Sequence, residues 1–582
     1  MKTKLLTILL LLFVVTANAQ TVNPTEKEKP KATLDKKFTT GSNLSLKNIT
    51  PIQVTNLAVL GKVWSFLKYH HPAIAKGNYN WDFELFRIVP KILAVKTDAD
   101  RNEVLSNWIT ALGTFKTATP KVIPAASIKY QPNFDWVTTS GLSKKLIDQI
   151  NQIKLADRTE ESYYVKLYDA ETPVPVFKNE DPYRNFKYPD DGYRLLGLFR
   201  FWSDIEYFAP YRNLTNKPWG NILKEYIPKF IAAKDELEYK LTAAALVAEI
   251  SDSHSDLSPF DNAFRPFYGA LKPNIEIVFV NNAPVVTYSD DEIVGINSLK
   301  RGDVIQTINA VPVAQLIKEK LPYMSASNYP TQLRKMAQLF LRTNDTVMKV
   351  TYLRDNKTAA TTLKCYPYNR TNYKKPVATD TGFKMINDIA YFHPGRLGTR
   401  LKSVMPLAMK AKGIIIDMRT YPKPTDFAWE IGKYLFTKPM DIARYTQGST
   451  ETPGLFTYMS DEYMAQARIG TVRTDNYKGK VIILINEETQ SLAELSVMAL
   501  RTRPNTVIIG SQTAGADGSV GMPIVFPGGI SSSYTQIGVY YPDGRETQRI
   551  GIVPNIVVKP TVKGIKEGRD EILEKAISLF KL

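Results

Sequence analysis

The sequence has 582 residues, a length that corresponds to about four domains of ordinary size. Hydrophobic residues make up 44% and charged residues 23% of it, which is typical of folded globular proteins and excludes a largely disordered or collagen-like chain. The single cysteine, Cys365, excludes an intramolecular disulfide and a cysteine-rich zinc module. Lysine and arginine exceed aspartate and glutamate by 75 to 57, for a net charge of +18, but no dense basic run is interleaved with aromatic residues. We therefore expect a solvated basic surface and no nucleic-acid partner.

The first 20 residues have the three-part pattern of a secretory signal peptide. Two lysines precede an apolar stretch, Leu5 to Val15, and an A-x-A cleavage site ends at Ala19. The stretch is short for a transmembrane helix, although an uncleaved anchor remains the alternative. We predict a signal peptide at residues 1–19 and an exported, periplasmic or extracellular protein with no integral membrane segment after cleavage. Residues 20–50 are polar and are predicted to form a flexible leader.

Two stretches of the N-terminal half repeat each other without a gap. The segment from Leu60 aligns with the segment from Leu196, and each matched pair is separated by 138 positions (202 − 64). The matched pairs are Trp64/Trp202, Ser65/Ser203, Tyr69/Tyr207, Pro72/Pro210, Trp81/Trp219, Pro90/Pro228 and Lys91/Lys229. This pattern predicts a tandem duplication of one helical unit, with the first repeat and a connector at 51–190 and the second repeat at 191–267.

The aromatic and histidine residues of these repeats favour a structural role. Trp202, Ile205 and Phe208 recur at helical spacing, which is typical of core-facing positions. His70 and His71 are adjacent, and neighbours on a helix do not face the same way. Because the chain has only four histidines, we expect no metal site and no metal or organic cofactor.

From Lys272 to Tyr366 the pattern changes to short β-rich runs, interrupted by one helix at Thr331 to Arg342. The stretch SLKRGDVIQTINAVPV resembles a PDZ-domain segment through Gly302, Asp303, Ile305 and Asn309, and departs from it at Ala310, where many PDZ segments have glycine. We predict a small β-rich, PDZ-like domain at 268–370, for which the resemblance implies peptide binding.

From Phe383 onward, apolar strands alternate with amphipathic helices, which predicts an α/β layered domain at 380–582. The strands read INDIAYF, GIIIDMR, KVIILIN and TVIIGS, with helices near Thr399–Ala411 and Ser491–Arg501. The fold class is therefore predicted to be multidomain α+β: a duplicated helical N-terminal region, a β-rich PDZ-like domain and an α/β core.

One segment of the α/β domain has the pattern of a nucleophile. In KVIILINEETQSLAELSVMALR a buried strand ends at Asn486 and a helix starts at Ser491. A serine at the positive end of a helix dipole, followed by the N–H of Leu492, supplies half of an oxyanion hole. The alternative is purely structural, because Ser491 and Glu494 have the spacing of a capping box.

A second segment, ALVAEISDSHSDL, contains the one histidine flanked by small polar residues, His254. Its counterpart in the first repeat is Lys116 (254 − 138), so the Asp-Ser-His-Ser patch belongs to one copy only. The alternative here is a structural histidine that hydrogen-bonds a helix end.

The region from Asp252 to Leu582 resembles the S41 serine peptidases, the group of C-terminal processing and tricorn-like proteases. The matching pieces are VIILINEETQSLAE around Ser491, VIIGSQTAG from Val507 to Gly515, YYPDGRETQRIGIVPNIVVKP from Tyr540 to Pro560, and KGIIIDMRTYP with Asp417 and Arg419. The processing proteases use a lysine base, but Ala516 stands where that lysine is expected, and no lysine lies between Lys480 and Lys559. The tricorn-like branch uses a Ser-His pair from the upstream helical domain, which Ser253-His254 matches.

The resemblance implies a role for each candidate residue. Ser491 is the expected nucleophile and His254 the general base, oriented by Glu546 or by Ser253. In tricorn-like sequences the acidic partner aligns on Gln548, and Glu546 shares its strand face two residues earlier.

For the oxyanion we expect the N–H of Leu492 and the amide of Lys423, since the prolines on either side of Lys423 have no N–H. We therefore predict an exported serine endopeptidase that acts on peptide or protein substrates. The alternatives are a catalytically inactive peptide- or ligand-binding protein on the same scaffold and a structural or polysaccharide-associated protein of the cell envelope.

Overall fold

The computed structural model describes residues 29–158, 162–169, 172–257, 261–289, 299–368 and 381–581. The predicted signal peptide at 1–19 lies outside these residues, as does the first part of the predicted leader. The described part of the leader packs against the helical domain: the Ser42 N–H and hydroxyl donate to the Asp190 carboxylate at 2.7 and 2.6 Å, and Leu46 is buried. These contacts hold the stretch against the helices, in contrast to the flexible leader predicted from its composition.

The N-terminal half is built from helices, several of which start at polar caps. The helices are Pro51–His70, Pro72–Ala75, Trp81–Ala94, Asp98–Ala111, Asp135–Thr139, Lys144–Lys154, Asp191–Phe208, Trp219–Ala232, Glu236–Ala248 and Arg265–Tyr268, with short strands at Ile128–Tyr130, Val165–Leu167 and Pro175–Phe177. Thr50 and Asp190 cap the two longest helices by accepting from the N–H groups of Gln53 and Tyr193. Such caps satisfy amides that have no intrahelical acceptor, which explains where the helices begin.

Equivalent helices of the two halves of this region begin at matching positions. Helices start at Trp81 and Trp219, and each carries a proline at the tenth residue. In the first half the Trp64 and Trp81 indoles donate to each other's backbone carbonyls at 3.0 Å. The second half has the same pair of bonds between Trp202 and Trp219, at 2.9 and 3.0 Å. The matched sequence positions therefore make matched internal contacts.

The aromatic stripe and the paired histidines are buried in this helical core. Trp202, Ile205 and Phe208 are each about 1% exposed. His70 stacks on Phe66 with ring centroids 4.3 Å apart. Across the described ranges, no group of three or more His, Cys, Asp or Glu side chains has an arrangement that could hold a metal ion.

A six-stranded sheet and two helices form the next unit. Its strands are Ile275–Val280, Ala283–Ser289, Val304–Ile308, Val311–Pro312, Val347–Arg354 and Lys357–Lys364, and its helices are Val313–Lys320 and Tyr329–Phe340. The strand Ile275–Val280 lies at one edge of the sheet, and the helix Tyr329–Phe340 packs beside it. A two-stranded pairing of Leu271–Lys272 with Tyr366–Pro367 closes the unit.

The C-terminal part is an α/β layered domain around a second six-stranded sheet. The strands in order are Phe383–Ile386, Ile389–Phe392, Gly413–Asp417, Lys480–Ile485, Thr506–Gly510 and Ile556–Val557, all parallel except the first. The helices are Pro394–Leu397, Leu401–Ala408, Phe427–Leu435, Asp461–Gln466, Leu492–Arg501, Val562–Lys566 and Glu571–Ser578. Alternate strand residues face opposite sides: Ile416 packs with Ile431, while Ile415 packs with Phe580. Both faces are covered, as a parallel sheet requires.

A four-stranded sheet joins this domain to the helical region. It runs Ile128–Tyr130, Phe456–Tyr458, Arg444–Gly448 and Gly538–Tyr540, so one strand comes from the helical connector. A hairpin of Ile524–Val525 with Ser531–Ser532 completes the strands. The chain is thus a mixed α/β protein with several sheets, in which the helical region and the layered core share a sheet.

Candidate active site

A cleft of about 810 Å³ lies where three parallel strands of the core end. Tyr421 follows Gly413–Asp417, Ser491 follows Lys480–Ile485, and Asp517 follows Thr506–Gly510, and all three residues line the cleft. His254 reaches the same cleft from the helical region. The carboxyl ends of parallel strands are the usual place for a site in such a fold, because the loops there converge.

Ser491 sits in a strained turn between strand and helix. Its backbone has φ 57° and ψ −125°, a combination that a residue with a side chain rarely adopts. Its N–H is shared between the carbonyl of Ala516 at 3.0 Å and the carboxylate of Glu494 at 3.1 Å. The helix begins at the next residue, Leu492, whose N–H therefore belongs to the first turn and has no intrahelical acceptor.

Glu494 fastens this turn to the loop that faces it. Its buried carboxylate accepts from the Thr513 hydroxyl at 2.5 Å, from the N–H groups of Gly515 and Ala516 at 2.8 and 3.0 Å, and from Ser491. Burial raises the pKa of Glu494, and these four donors act in the opposite direction. The capping contact expected for Glu494 is present, but it is only one of the four hydrogen bonds that this carboxylate accepts.

His254 is oriented by two residues of different segments. Its Nδ1 lies 2.9 Å from the Thr535 hydroxyl and 3.8 Å from the Asp252 carboxylate. The Asp252 carboxylate also accepts from the N–H groups of His254 at 3.0 Å and of Thr535 at 2.6 Å, which ties the two segments together. Burial lowers the pKa of His254, opposed by the nearby Asp252, so the imidazole is neutral near pH 7 and able to accept a proton.

Ser253 connects the histidine loop to the loop beside the nucleophile. Its hydroxyl donates to the Ala514 carbonyl at 2.9 Å and accepts from the N–H of Ser327 at 2.9 Å. Ser253 therefore acts on the backbone around the site and does not contact the imidazole.

The structure does not bring Glu546 to His254. The Glu546 carboxylate accepts from the Tyr130 hydroxyl at 2.9 Å and pairs with Lys129 at 3.2 Å. The Gln548 amide donates to the Ser327 hydroxyl at 3.5 Å. The residues that do orient the imidazole are Asp252 and Thr535. Asp252 stands two positions before His254, in the same polar patch of the sequence, whereas nothing local in the sequence marks Thr535.

Lys423 is also outside the site. Its amide N–H donates to the Pro394 carbonyl at 3.1 Å, which leaves no hydrogen for an oxyanion. Of the segment after Asp417, it is Tyr421 that lines the cleft.

A strained serine at a helix N-terminus and a buried neutral histidine in one cleft form the arrangement of a serine hydrolase. Comparison with known families agrees: residues 392–558 match Peptidase family S41. Residues 392–558 therefore form a domain of peptidase family S41, which makes the protein a serine-type peptidase. The matched residues include Ser491 and lie within the layered core predicted at 380–582.

Comparison with solved structures finds similar chains. A structure of mature CPAF complexed with lactacystin aligns with 12% identity over 67% of this chain and 98% of that one, at a TM-score of 0.51. A putative peptidase from Parabacteroides merdae aligns with 16% identity over 69% of this chain and 97% of that one, at a TM-score of 0.40. The photosystem II D1 C-terminal processing protease aligns with 14% identity over 64% of this chain and 96% of that one, at a TM-score of 0.36. No curated protein matches the chain.

Asp417 and Arg419 of this S41 peptidase have a structural role. Arg419 donates to the Asp417 carboxylate at 2.6 and 2.9 Å and to the Asp570 carboxylate at 2.7 and 2.8 Å, and the Tyr391 hydroxyl donates to Asp417. These bonds fix the end of the strand Gly413–Asp417 to the start of the last helix. The Asp-x-Arg segment therefore supports one wall of the cleft from behind.

A second groove, of about 770 Å³, adjoins the cleft. It lies between the edge strand Ile275–Val280 and the helix Tyr329–Phe340, and Arg334 and Glu488 line both the groove and the cleft. Three more cationic side chains, Lys272, Arg342 and Lys559, face the groove. The two cavities thus form one continuous surface beside Ser491.

Among the helices of the described residues, none combines the length and the apolar character that crossing a membrane would require.

Proposed function

We propose that this S41 peptidase is an exported endopeptidase in which Ser491 is the nucleophile and His254 the general base. The observation that carries the proposal is their meeting in one cleft, although they come from different domains. The strained backbone of Ser491 and the neutral, buried imidazole of His254 are the features that acyl transfer requires.

Each proton transfer of the proposed peptide-bond hydrolysis is assigned to a residue. The Nδ1–H of His254 donates to the Thr535 hydroxyl, which leaves Nε2 to accept the Ser491 proton as the serine oxygen attacks the peptide carbonyl. The Asp252 carboxylate, 3.8 Å from Nδ1, stabilises the imidazolium that forms. His254 then returns the proton to the leaving amine, and a water molecule repeats the sequence to release the acyl group.

The oxyanion is stabilised by the start of the helix after Ser491. The Leu492 N–H and the positive end of the helix dipole face the developing negative charge. We assign the contribution of the segment after Asp417 to Tyr421, because it lines the cleft while the Lys423 amide is already bonded to Pro394.

The groove beside the cleft is proposed to hold the substrate chain. The strand Ile275–Val280 lies at the edge of its sheet and lines the groove, and an extended peptide can add to such an edge as a further strand. Together with the resemblance around Gly302 and Asp303, the edge strand and its neighbouring helix support a PDZ-like unit at 268–370. Cationic and acidic side chains both line the groove, so charged substrate residues of either sign have a complementary partner there.

The two helical units are proposed to be a duplication in which only the second acquired a catalytic residue. The matched tryptophan bonds support this history, and Lys116 occupies the position in the first unit that His254 has in the second. Export follows from the signal-peptide pattern at 1–19, and a mature N-terminus at Gln20 would confirm it.

Cleavage of a mixed peptide library, read by mass spectrometry at pH 7–8, tests the proposal. We expect new termini with the wild type and with Ser578→Ala, an exposed serine of the same domain. We expect none with Ser491→Ala or His254→Ala. If Ser491→Ala cleaves as well as the wild type, Ser491 is only a helix cap. If no protein cleaves but peptides still bind, the chain is the inactive binding protein of the alternative interpretation.

A further inference from the structure

Asp517 lies in the cleft beside the nucleophile and has no part in the mechanism above. The preceding residue, Ala516, accepts the Ser491 N–H at 3.0 Å, so Asp517 is one residue away from the backbone that holds the nucleophile. Its side chain is 3% exposed and lines the same cleft as Ser491 and His254. A substrate side chain adjacent to the scissile bond must therefore pass close to this carboxyl group.

This carboxyl group has an unpartnered oxygen within the cleft. Asp204 and Glu206 also have one, but they lie in the helical core and do not line the cleft. One oxygen accepts the Gly518 N–H at 2.8 Å, and within the described ranges neither a hydrogen-bond donor nor a cation reaches the other oxygen. By contrast, Asp82 pairs with Arg200, and Glu494 accepts from four donors. An unpartnered buried carboxyl oxygen destabilises the fold, and in a cleft it is available to a ligand that supplies the missing donor.

The walls around Asp517 complete a pocket for a long, cationic side chain. Leu495, Ile537 and Val539 line the cleft with apolar surface, next to the ring of Tyr445. Apolar walls suit the methylene stem of lysine or arginine, and a carboxyl group suits its charged end. Burial raises the pKa of Asp517 well above its ordinary value, with Glu494 as a further cause. A substrate cation would reverse that effect and restore the carboxylate.

We propose that Asp517 is the specificity-determining residue of the pocket that receives the residue N-terminal to the scissile bond, and that this pocket selects arginine or lysine. The inference rests on the proposed peptidase function and adds the class of substrate. Neither the family match nor the fold comparisons assign a role to this residue.

The test uses pairs of peptides that differ only at that residue: arginine against citrulline, its neutral near-isostere, and lysine against norleucine. For the wild type we expect kcat/KM to favour each cationic peptide by about 100-fold or more, because a buried polar group left unpaired penalises the neutral analogue. In Asp517→Asn the preference should fall to within a few-fold, because kcat/KM decreases more on the cationic peptides than on the neutral ones. Asp543→Asn, the same change at an exposed position, should retain the preference.

Two kinetic outcomes would overturn the inference. The first is a wild type that prefers norleucine or citrulline. The second is an Asp517→Asn variant that loses activity equally on both members of each pair, as a residue that only supports the fold would.

A binding measurement decides the case independently of catalysis. Full-length Ser491→Ala is titrated calorimetrically with benzamidine, a cation, and with benzamide, its neutral counterpart. We expect benzamidine to bind more tightly than benzamide, and the difference to vanish in Ser491→Ala combined with Asp517→Asn. Equal affinities in the first variant would overturn the role of Asp517. Preferential benzamidine binding without any cleavage by the wild type would overturn the peptidase proposal instead.

Discussion

Replacing Glu494 with glutamine tests whether one buried carboxylate holds the nucleophile in place. Each of its two oxygens accepts two hydrogen bonds. The Oε1 atom accepts from Thr513 and Gly515, and the Oε2 atom accepts from Ala516 and Ser491. A glutamine retains one acceptor oxygen, so its NH₂ group must face two donors. Two bonds to a charged acceptor are lost at about 1.5 to 3 kcal/mol each, for a local loss of about 3 to 6 kcal/mol.

The loss should appear both in local opening and in catalysis. Since about 1.4 kcal/mol corresponds to a factor of ten, amide exchange of the segment containing Gly515 and Ala516 should accelerate by about 100-fold or more in hydrogen-exchange mass spectrometry. The strained turn at Ser491 also loses one of its supports. We expect kcat to fall by about 100-fold with little change in KM, because a misplaced nucleophile affects the chemical step.

A matched control separates this effect from the general loss of a carboxylate. Glu574→Gln makes the same chemical change in the same domain, at a side chain that is 43% exposed and paired with Arg569. It should leave both the exchange of residues 513–516 and kcat unchanged. Unchanged exchange in Glu494→Gln would refute the reasoning, since it would show that the carboxylate does not hold the loop.

Two further predictions concern the charges around the site. Because burial lowers the pKa of His254, the acid limb of the kcat/KM profile should have its midpoint below pH 6.5. Asp252 raises the pKa of His254 and Lys335 lowers it. Asp252→Asn should therefore move the midpoint to lower pH, and Lys335→Met should move it to higher pH. Shifts of both variants in the same direction would contradict the assignment of His254 as the base. The pKa of Asp517 in the folded protein is raised above its ordinary value of 3.8. The folded state therefore loses stability as the pH rises above 3.8, because ionisation of Asp517 is less favourable in the folded protein than in the unfolded chain. Asp517→Asn should therefore raise the apparent melting temperature at pH 8 and do so less at pH 4. A gain that is equal at both pH values would show that ionisation of Asp517 does not limit stability.

The helical units and the nucleophile turn follow from short-range sequence. Helices begin at Trp81 and Trp219, as the repeat predicts. Asn80 caps the first helix, the second follows Pro218 without a side-chain cap, and both have a local apolar spacing. The strand Lys480–Ile485 and the helix from Leu492 likewise follow from a local apolar run and a local start signal. For this reason the sequence alone predicts that Ser491 lies between the end of a strand and the start of a helix.

The partner of His254 was not predictable in this way. Strand alternation predicts Glu546 on the same face as Gln548, but packing turns its carboxylate toward Tyr130, 416 residues away in sequence. Thr535, 281 residues from His254, occupies the position instead. Lys423 failed as an oxyanion donor for a similar reason, since its amide is taken by a neighbouring loop at Pro394.

The sequence by itself determined the elements that depend on local interactions: the caps, the apolar periodicities, the repeat and the strand–turn–helix around Ser491. The tertiary structure alone decided which distant side chains meet, namely Thr535 with His254, Glu494 with the loop at 513–516, and Asp517 with the apolar walls of the cleft. The physical reason is that helices and strands are selected by interactions within a few residues, whereas a side-chain partner is selected by how whole layers pack, and many polar residues along the chain satisfy the same local pattern.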